Sequence, residues 1–184
     1  MSVGLIEILS SASTASLSKQ SSFDFLKDLQ EISSESLRIH GRELTSYWIK
    51  KNSSWKSNTW EDFILATRIC NWIKNFNFFF STADEEFKKN IFNSISKQIE
   101  HLVKNFSNLK RNSDLIRIIK ALIYTSISIP SKKYYYQIAI FNLRSELARQ
   151  ILNDGCHFQR NPKIHIQVLM DLLDIRSILN STKK

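Results

Sequence analysis

The sequence predicts an all-α protein made of stacked antiparallel helical hairpins. Three observations carry this expectation. Apolar residues recur every three or four positions over long windows, six such windows are separated by short polar connections, and the chain holds only three Gly and two Pro. So few turn residues exclude turn-dense all-β and collagen-like architectures. The many Ile residues raise β propensity, but a 3.6-residue period sustained over long windows outweighs propensity, and no stretch alternates convincingly.

Residues 1–22, Ser-rich over 9–22, read as a leader or linker ahead of a helical domain over 23–184. From Phe23 to Lys51, apolar residues at Phe25, Leu26, Leu29, Ile32, Leu37 and Leu44 predict helix. Residues 52–58 are polar, carry Trp55 and read as a loop. Trp60 to Phe76 is the second helix, with Phe63, Ile64, Thr67, Ile69, Trp72 and Ile73 inward. Thr82 followed by Glu85 forms a capping-box pattern that opens the third. Its face is Phe87, Ile91, Ile95, Ile99, Leu102 and Phe106. Ser113 and Asp114 open the fourth, with Leu115, Ile118, Ile119, Leu122 and Ile123 inward, and Pro130 stops it. The fifth spans 132–152, with a stripe of Tyr136, Ile140, Leu143, Leu147 and Ile151. After a loop over 153–162, Ile164, Val168, Leu172, Ile175 and Leu179 line up in the sixth.

The 184 residues suit one domain with a real core, and 42% hydrophobic content with twelve Phe excludes wholesale disorder. Cys70 and Cys156 are too few for a disulfide framework or a four-thiolate metal site. No P-loop, dinucleotide fingerprint, zinc spacing or nucleophile elbow occurs, so no cofactor and no metal are expected. The N-terminus lacks a basic region and carries Glu7, so it does not read as a secretory signal. No apolar run is long enough to span a membrane. A cytoplasmic location follows as the expectation, or a periplasmic one if a segment precedes the chain.

The net charge of +9 is unevenly placed. Residues 1–100 carry 12 Lys/Arg and 12 Asp/Glu, whereas residues 101–184 carry 14 and 5. The second part therefore suits an anionic partner. Among the aromatic residues, Trp60 and Trp72 sit at core spacings, while Trp55, in a polar loop, is the best candidate to stack on a ligand ring. Lys132-Lys133 followed by Tyr134-Tyr135-Tyr136 is the one basic-aromatic cluster. Core packing of Tyr136 explains it better than nucleic-acid binding.

The 153–162 loop concentrates unusual residues. Asn153-Asp154-Gly155 is a helix-ending turn signal, and Asn161-Pro162 is a helix start. Between them lie Cys156, His157, Phe158, Gln159 and Arg160. His157 suits a substrate carboxylate or a loop carbonyl; Arg160 suits an anion or an ion pair with Asp154 or Asp171. Asn161 suits a helix cap, and His165, one turn inside the helix, suits a surface position.

The run ELARQILNDGCHFQRNP (146–162), followed by LMDLLDIR (169–176), resembles a signature of heparinase II/III-like proteins. Cys156 replaces the second glycine of that family's pattern. The segments WEDFILATRICNW (60–72) and KALIY (120–124) are similar as well, so the resemblance extends over about residues 23–180. It implies that the helices form part of an (α/α) toroid, a portion of a longer protein whose β-sandwich follows. It also implies recognition of an acidic, uronate-containing polysaccharide, with β-elimination as the family reaction. In that chemistry an Asn or His neutralises the carboxylate, a Tyr or His takes the C5 proton, and a Tyr protonates the leaving oxygen. The substrate-binding positions it implies are His157, Arg160, Asn161, His165 and Asn112. Two departures stand out. Ile164-His165 occupies the place of a Tyr-His pair, and Asn112-Ser113-Asp114 the place of an Asn-His pair. A companion chain completing the toroid and sandwich, or self-association through an uncovered helix face, would follow from a partial toroid. The alternative is a non-enzymatic basic helical module that binds an acidic partner.

Overall fold

A serine ends the first helix. In the computed structural model, which describes residues 20–55, 59–108 and 112–182, α1 spans Phe25–Ile32 and Ser33 follows in the left-handed region at φ 53°. The Ser33 N–H and Oγ both donate to the Gln30 carbonyl, and Ser34 turns extended to start α2, Glu35–Lys51. The single helix expected over 23–51 is therefore two. Side-chain hydrogen bonding of serine to nearby backbone competes with helix, which apolar spacing does not reveal.

The chain divides into two compact units between Glu100 and His101. The first holds α1, α2, α3 (Asp62–Lys74), α4 (Phe76–Phe79) and most of α5 (Glu85–Asn105). Its centre is aromatic: Phe23, Trp48 and Trp72 meet edge to face, with ring centroids 5.2–5.9 Å apart. Residues 1–19 of the expected leader lie outside the described residues. Ser21 and Ser22, at its end, are buried, so packing begins before residue 23.

What holds that segment is Arg68, which the apolar pattern gave no reason to single out. It is fully buried on α3, its guanidinium 3.9 Å from the Trp48 ring centroid. Its Nη1 donates to the Ser21 and Thr59 carbonyls and its Nε to Gln98 Oε1 at 2.8 Å. Burial pulls its pKa well below the usual arginine value, with stacking and neutral acceptors standing in for a carboxylate.

Two further details differ from the sequence pattern. The helix expected over 60–76 stops at Lys74, and Asn75 separates it from α4. The capping box at Thr82 and Glu85 does not form. Asp84 Oδ1 accepts from the Phe87 N–H at 2.7 Å, while Thr82 Oγ1 is taken by Arg42 and Glu85 pairs with Lys88. Trp60 and Trp72 are buried and Trp55 is exposed, as their spacing predicts.

The second unit is organised around α6, Asp114–Ser128, whose Leu115, Ile118, Ile119, Leu122 and Ile123 are all buried. Ile116, Lys120 and Thr125 are buried too, so α6 is enclosed on every side rather than on one stripe. α7, Tyr135–Gln150, runs antiparallel to it, because Gln150 at its end meets Asn112 just before α6. α8, Pro162–Ser181, returns in the direction of α6: Arg117 and Lys120 meet Asp171, and Lys120 also meets Asp174. The buried Lys120 ammonium lies 2.5 Å from Asp171 Oδ1 and 3.1 Å from Asp174 Oδ2. Arg117 Nε donates to both Asp171 oxygens. Each charge is compensated, as burial demands.

The expected stripe of α7 is rotated. The buried residues are Tyr135, Ala139, Leu143, Glu146 and Gln150, so Tyr135 rather than Tyr136 enters the core. Two polar residues on the buried face outcompete Leu147 and Ile151 because they have partners there. Among the described residues the protein has no strand, and no helix is long and apolar enough to cross a membrane.

Two stability outcomes follow. A Cβ on Gly41 would lie 2.5 Å from Phe79 Cδ1, so Gly41→Ala should destabilise by about 1–2 kcal/mol despite alanine's better helix propensity. Asp171→Ala removes the buried carboxylate that Lys120 and Arg117 share, leaving Lys120 only Asp174 of the two acids, and should cost about 3 kcal/mol. Urea unfolding followed by circular dichroism measures both.

Candidate functional site

The loop after α7 closes on itself through its backbone. Gly155 N–H donates to the Leu152 carbonyl at 2.8 Å, Leu152 N–H to the Cys156 carbonyl at 2.9 Å, and Phe158 N–H to the Gln150 carbonyl at 2.8 Å. Ile151 and His157 form an isolated antiparallel bridge. Gly155 takes φ 81°, and a Cβ there would meet nothing within 4 Å, so backbone conformation alone calls for glycine.

This closure carries His157 inward. Its side chain is fully buried and both ring nitrogens are engaged. Nδ1 faces the Gln159 N–H at 3.3 Å and must accept; the proton therefore sits on Nε2, which donates to Gln150 Oε1 at 3.0 Å. The ring is neutral. Desolvation first, then the charges of His165 and Arg149, hold its pKa below the ordinary value of 6.5.

Gln150 is the centre of the arrangement. Its Nε2 donates to the Asn112 carbonyl at 2.9 Å and to Glu146 Oε2 at 2.8 Å, while its Oε1 accepts from His157. Glu146 also receives Arg149, 2.5 Å away through Nη2. Gln150 and Glu146 are sites that the sequence reading missed. The signal was available: positions 139, 143, 146 and 150 continue one helical face from apolar into polar residues.

The five expected positions fall into different roles. His157 is enclosed and cannot touch a solvent-borne ligand in this arrangement. Its backbone N–H donates to His165 Nδ1 at 3.2 Å, so the two histidines are brought together. His165 is half-buried, not a free surface residue, and no protein group takes its Nε2 among the described residues. Asn161 caps α8, accepting from the Lys163 and Ile164 N–H groups at 3.0 and 3.4 Å. Asn112 is spent locally: its side chain exchanges hydrogen bonds with Asp114. Arg160 stands exposed at φ 52° and pairs with Asp154, not Asp171. That contact raises the Arg160 pKa and lowers that of Asp154, whose carboxylate also accepts from the Cys156 N–H.

Chemically, the exposed edge offers the Arg160 guanidinium and the Lys163 ammonium, groups suited to an anion, with the half-buried His165 ring in the first turn of the same helix. Phe158 sits beside them, with Arg149 5.5 Å from its ring centroid. Ile164, not a tyrosine, precedes His165 in the chain. Among the described residues no group of three or more His, Cys, Asp or Glu is arranged to hold a metal ion.

Among known proteins, the family model described as heparinase II/III N-terminus matches residues 43–184. The match begins within α2, later than the residue 23 suggested by the motifs. No curated protein and no solved structure matches the chain.

The depressed His157 pKa fixes the sign of a pH effect. The unfolded chain takes up this proton first, so the contribution to stability is complete above about pH 6.5. It is lost as pH falls from there through the folded value. Denaturation midpoints measured between about pH 7.5 and 5 should decline, and His157→Phe should flatten that slope while lowering stability throughout.

Proposed function

The chain belongs to the heparinase II/III N-terminus family, a polysaccharide-lyase-related domain, and on that premise we propose that its second unit binds an acidic, uronate-containing polysaccharide. On this reading the helical hairpins are part of an (α/α) toroid. The observation that carries the proposal is the clamp of Gln150 on His157. It rigidifies the loop from beneath and leaves Arg160 and Lys163 outward in the unit that holds the excess positive charge. A guanidinium and an imidazole N–H suit a uronate carboxylate.

The proposed role is binding rather than turnover by this chain alone. β-Elimination needs a proton acceptor at C5 and a proton donor at the leaving oxygen. Ile164 and Ser113 stand where the family resemblance calls for Tyr and His, so those groups would come from elsewhere, such as a companion chain.

The test is titration of the full chain with polyuronate, with a neutral glucan and with polyphosphate, while ultraviolet absorbance reports unsaturated product. Polyuronate should bind, the glucan should not, and no product should form. Arg160→Ala should weaken binding and Asp154→Ala should tighten it, each by up to about fivefold, since an exposed pair is worth at most about 1 kcal/mol. Absent polyuronate binding, or equal glucan binding, would sink the proposal. Equal affinity for polyphosphate would favour instead a basic helical module that accepts any acidic partner.

A further inference from the structure

Helix α8 carries two apolar stripes. Val168 and Ile175 are buried on the inward one, with Asp171 between them meeting Arg117 and Lys120 of α6. The other faces out: Ile166 is 56% exposed, Leu169 46%, Met170 61% and Leu173 53%. Their spacing of i, i+3, i+4 and i+7 places them on one helical face. Four large apolar side chains exposed together on one helix form a patch of the kind that marks an interaction site.

The charges around the stripe say what it fits. Lys163 lies three residues before Ile166 and Arg176 three after Leu173. Both are exposed, and neither has an ion-pair partner among the described residues. The acids of this helix, Asp171 and Asp174, are turned to Lys120. The outer face is therefore apolar in the middle and cationic at both ends, over about 20 Å at 1.5 Å per residue. A second copy docked face to face would bring Lys163 and Arg176 against the same two cations. A membrane-surface helix carries rows of cations along its polar face, whereas here one stands at each end.

We propose that this outer face of α8 docks an acidic amphipathic helix of a partner protein. Its apolar residues at i, i+3, i+4 and i+7 would interdigitate with Ile166, Leu169, Met170 and Leu173. A carboxylate one turn beyond each end would meet Lys163 and Arg176. The surface shares Lys163 with the polysaccharide proposal but includes neither Arg160 nor His165, so the Leu169 and Met170 variants, which keep Lys163, separate the two.

The probe is a synthetic peptide of about 16 residues, with Leu at that spacing, Glu one turn beyond each end and Ala or Gln elsewhere. Titrated with the full chain, it should bind saturably and gain helicity. Leu169→Glu and Met170→Glu should each weaken binding by at least about tenfold, because a charge enters the centre of the contact. Both positions are exposed, so folding should be retained, and Met170→Gln provides a milder variant if it is not. Lys163→Glu combined with Arg176→Glu should switch preference to a peptide with Lys in place of Glu. The proposal is overturned by absent binding, or by equal affinity of the wild type for the Lys peptide. It is likewise overturned if the Glu variants bind normally. Sedimentation showing self-association that Met170→Glu abolishes, or binding to anionic phospholipid vesicles that it abolishes, would also reassign the face.

Discussion

One glutamine side chain joins the parts of the second unit that matter for a site. Gln150 is buried, and its amide reaches the Asn112 carbonyl at the start of α6, Glu146 one turn back on α7, and His157 in the loop that follows. An amide has two donors and an acceptor, and here all are used. Losing any partner would leave a buried polar group unsatisfied, which costs more than the net gain of making the bond. The loop conformation, the neutral state of His157 and the outward position of Arg160 depend on that satisfaction.

Each unit also encloses a cation, and the two are accommodated by different means. Arg68 is delocalised, flat and weakly hydrated, so Trp48 and three neutral oxygens hold it even with Nη2 lacking a hydrogen-bond partner among the described residues. Lys120 is a compact, strongly hydrated charge and sits against two carboxylates. In the first case a cation holds the segment around Ser21 against α3. In the second it sets the register of α8 along α6, because Asp171 and Asp174 fit Arg117 and Lys120 in only one alignment.

Burial redistributes chemistry within the loop. The residue with the most suggestive side chain, His157, serves as a structural strut. His165, behind it, offers the free ring nitrogen, and Arg160 offers the charge. A groove that binds an anion needs cations that are held in place yet accessible, and a strut beneath an exposed arginine provides both. The same helix start carries Asn161 as its cap and Lys163 in its first turn. The exposed outer face of α8 is a separate feature of that helix, set by side chains that point away from α6.

The helices themselves were legible in the sequence, because apolar periodicity is a local property of the chain. The buried faces of α5 and α6 fall where Ile91, Ile95 and Ile99 and Leu115, Ile119 and Leu122 predict. The cap at Asn161 and the turn at Gly155 were legible for the same reason: cap and turn chemistry involves residues a few positions apart. The break at Ser33, the shift of the α5 cap to Asp84 and the rotation of α7 onto Tyr135 were not. In each, two local options differ by about 1 kcal/mol or less; at Ser33 a bond to the nearby Gln30 carbonyl decides, and in the other two a distant partner chooses. Arg42 takes Thr82, and Asn112 and His157 take Gln150. Sequence alone thus determined an all-α chain with a basic second part and a distinctive loop. Tertiary structure decided which histidine is fully buried and which only half, because that choice rests on hydrogen-bond partners 38 residues apart along the chain.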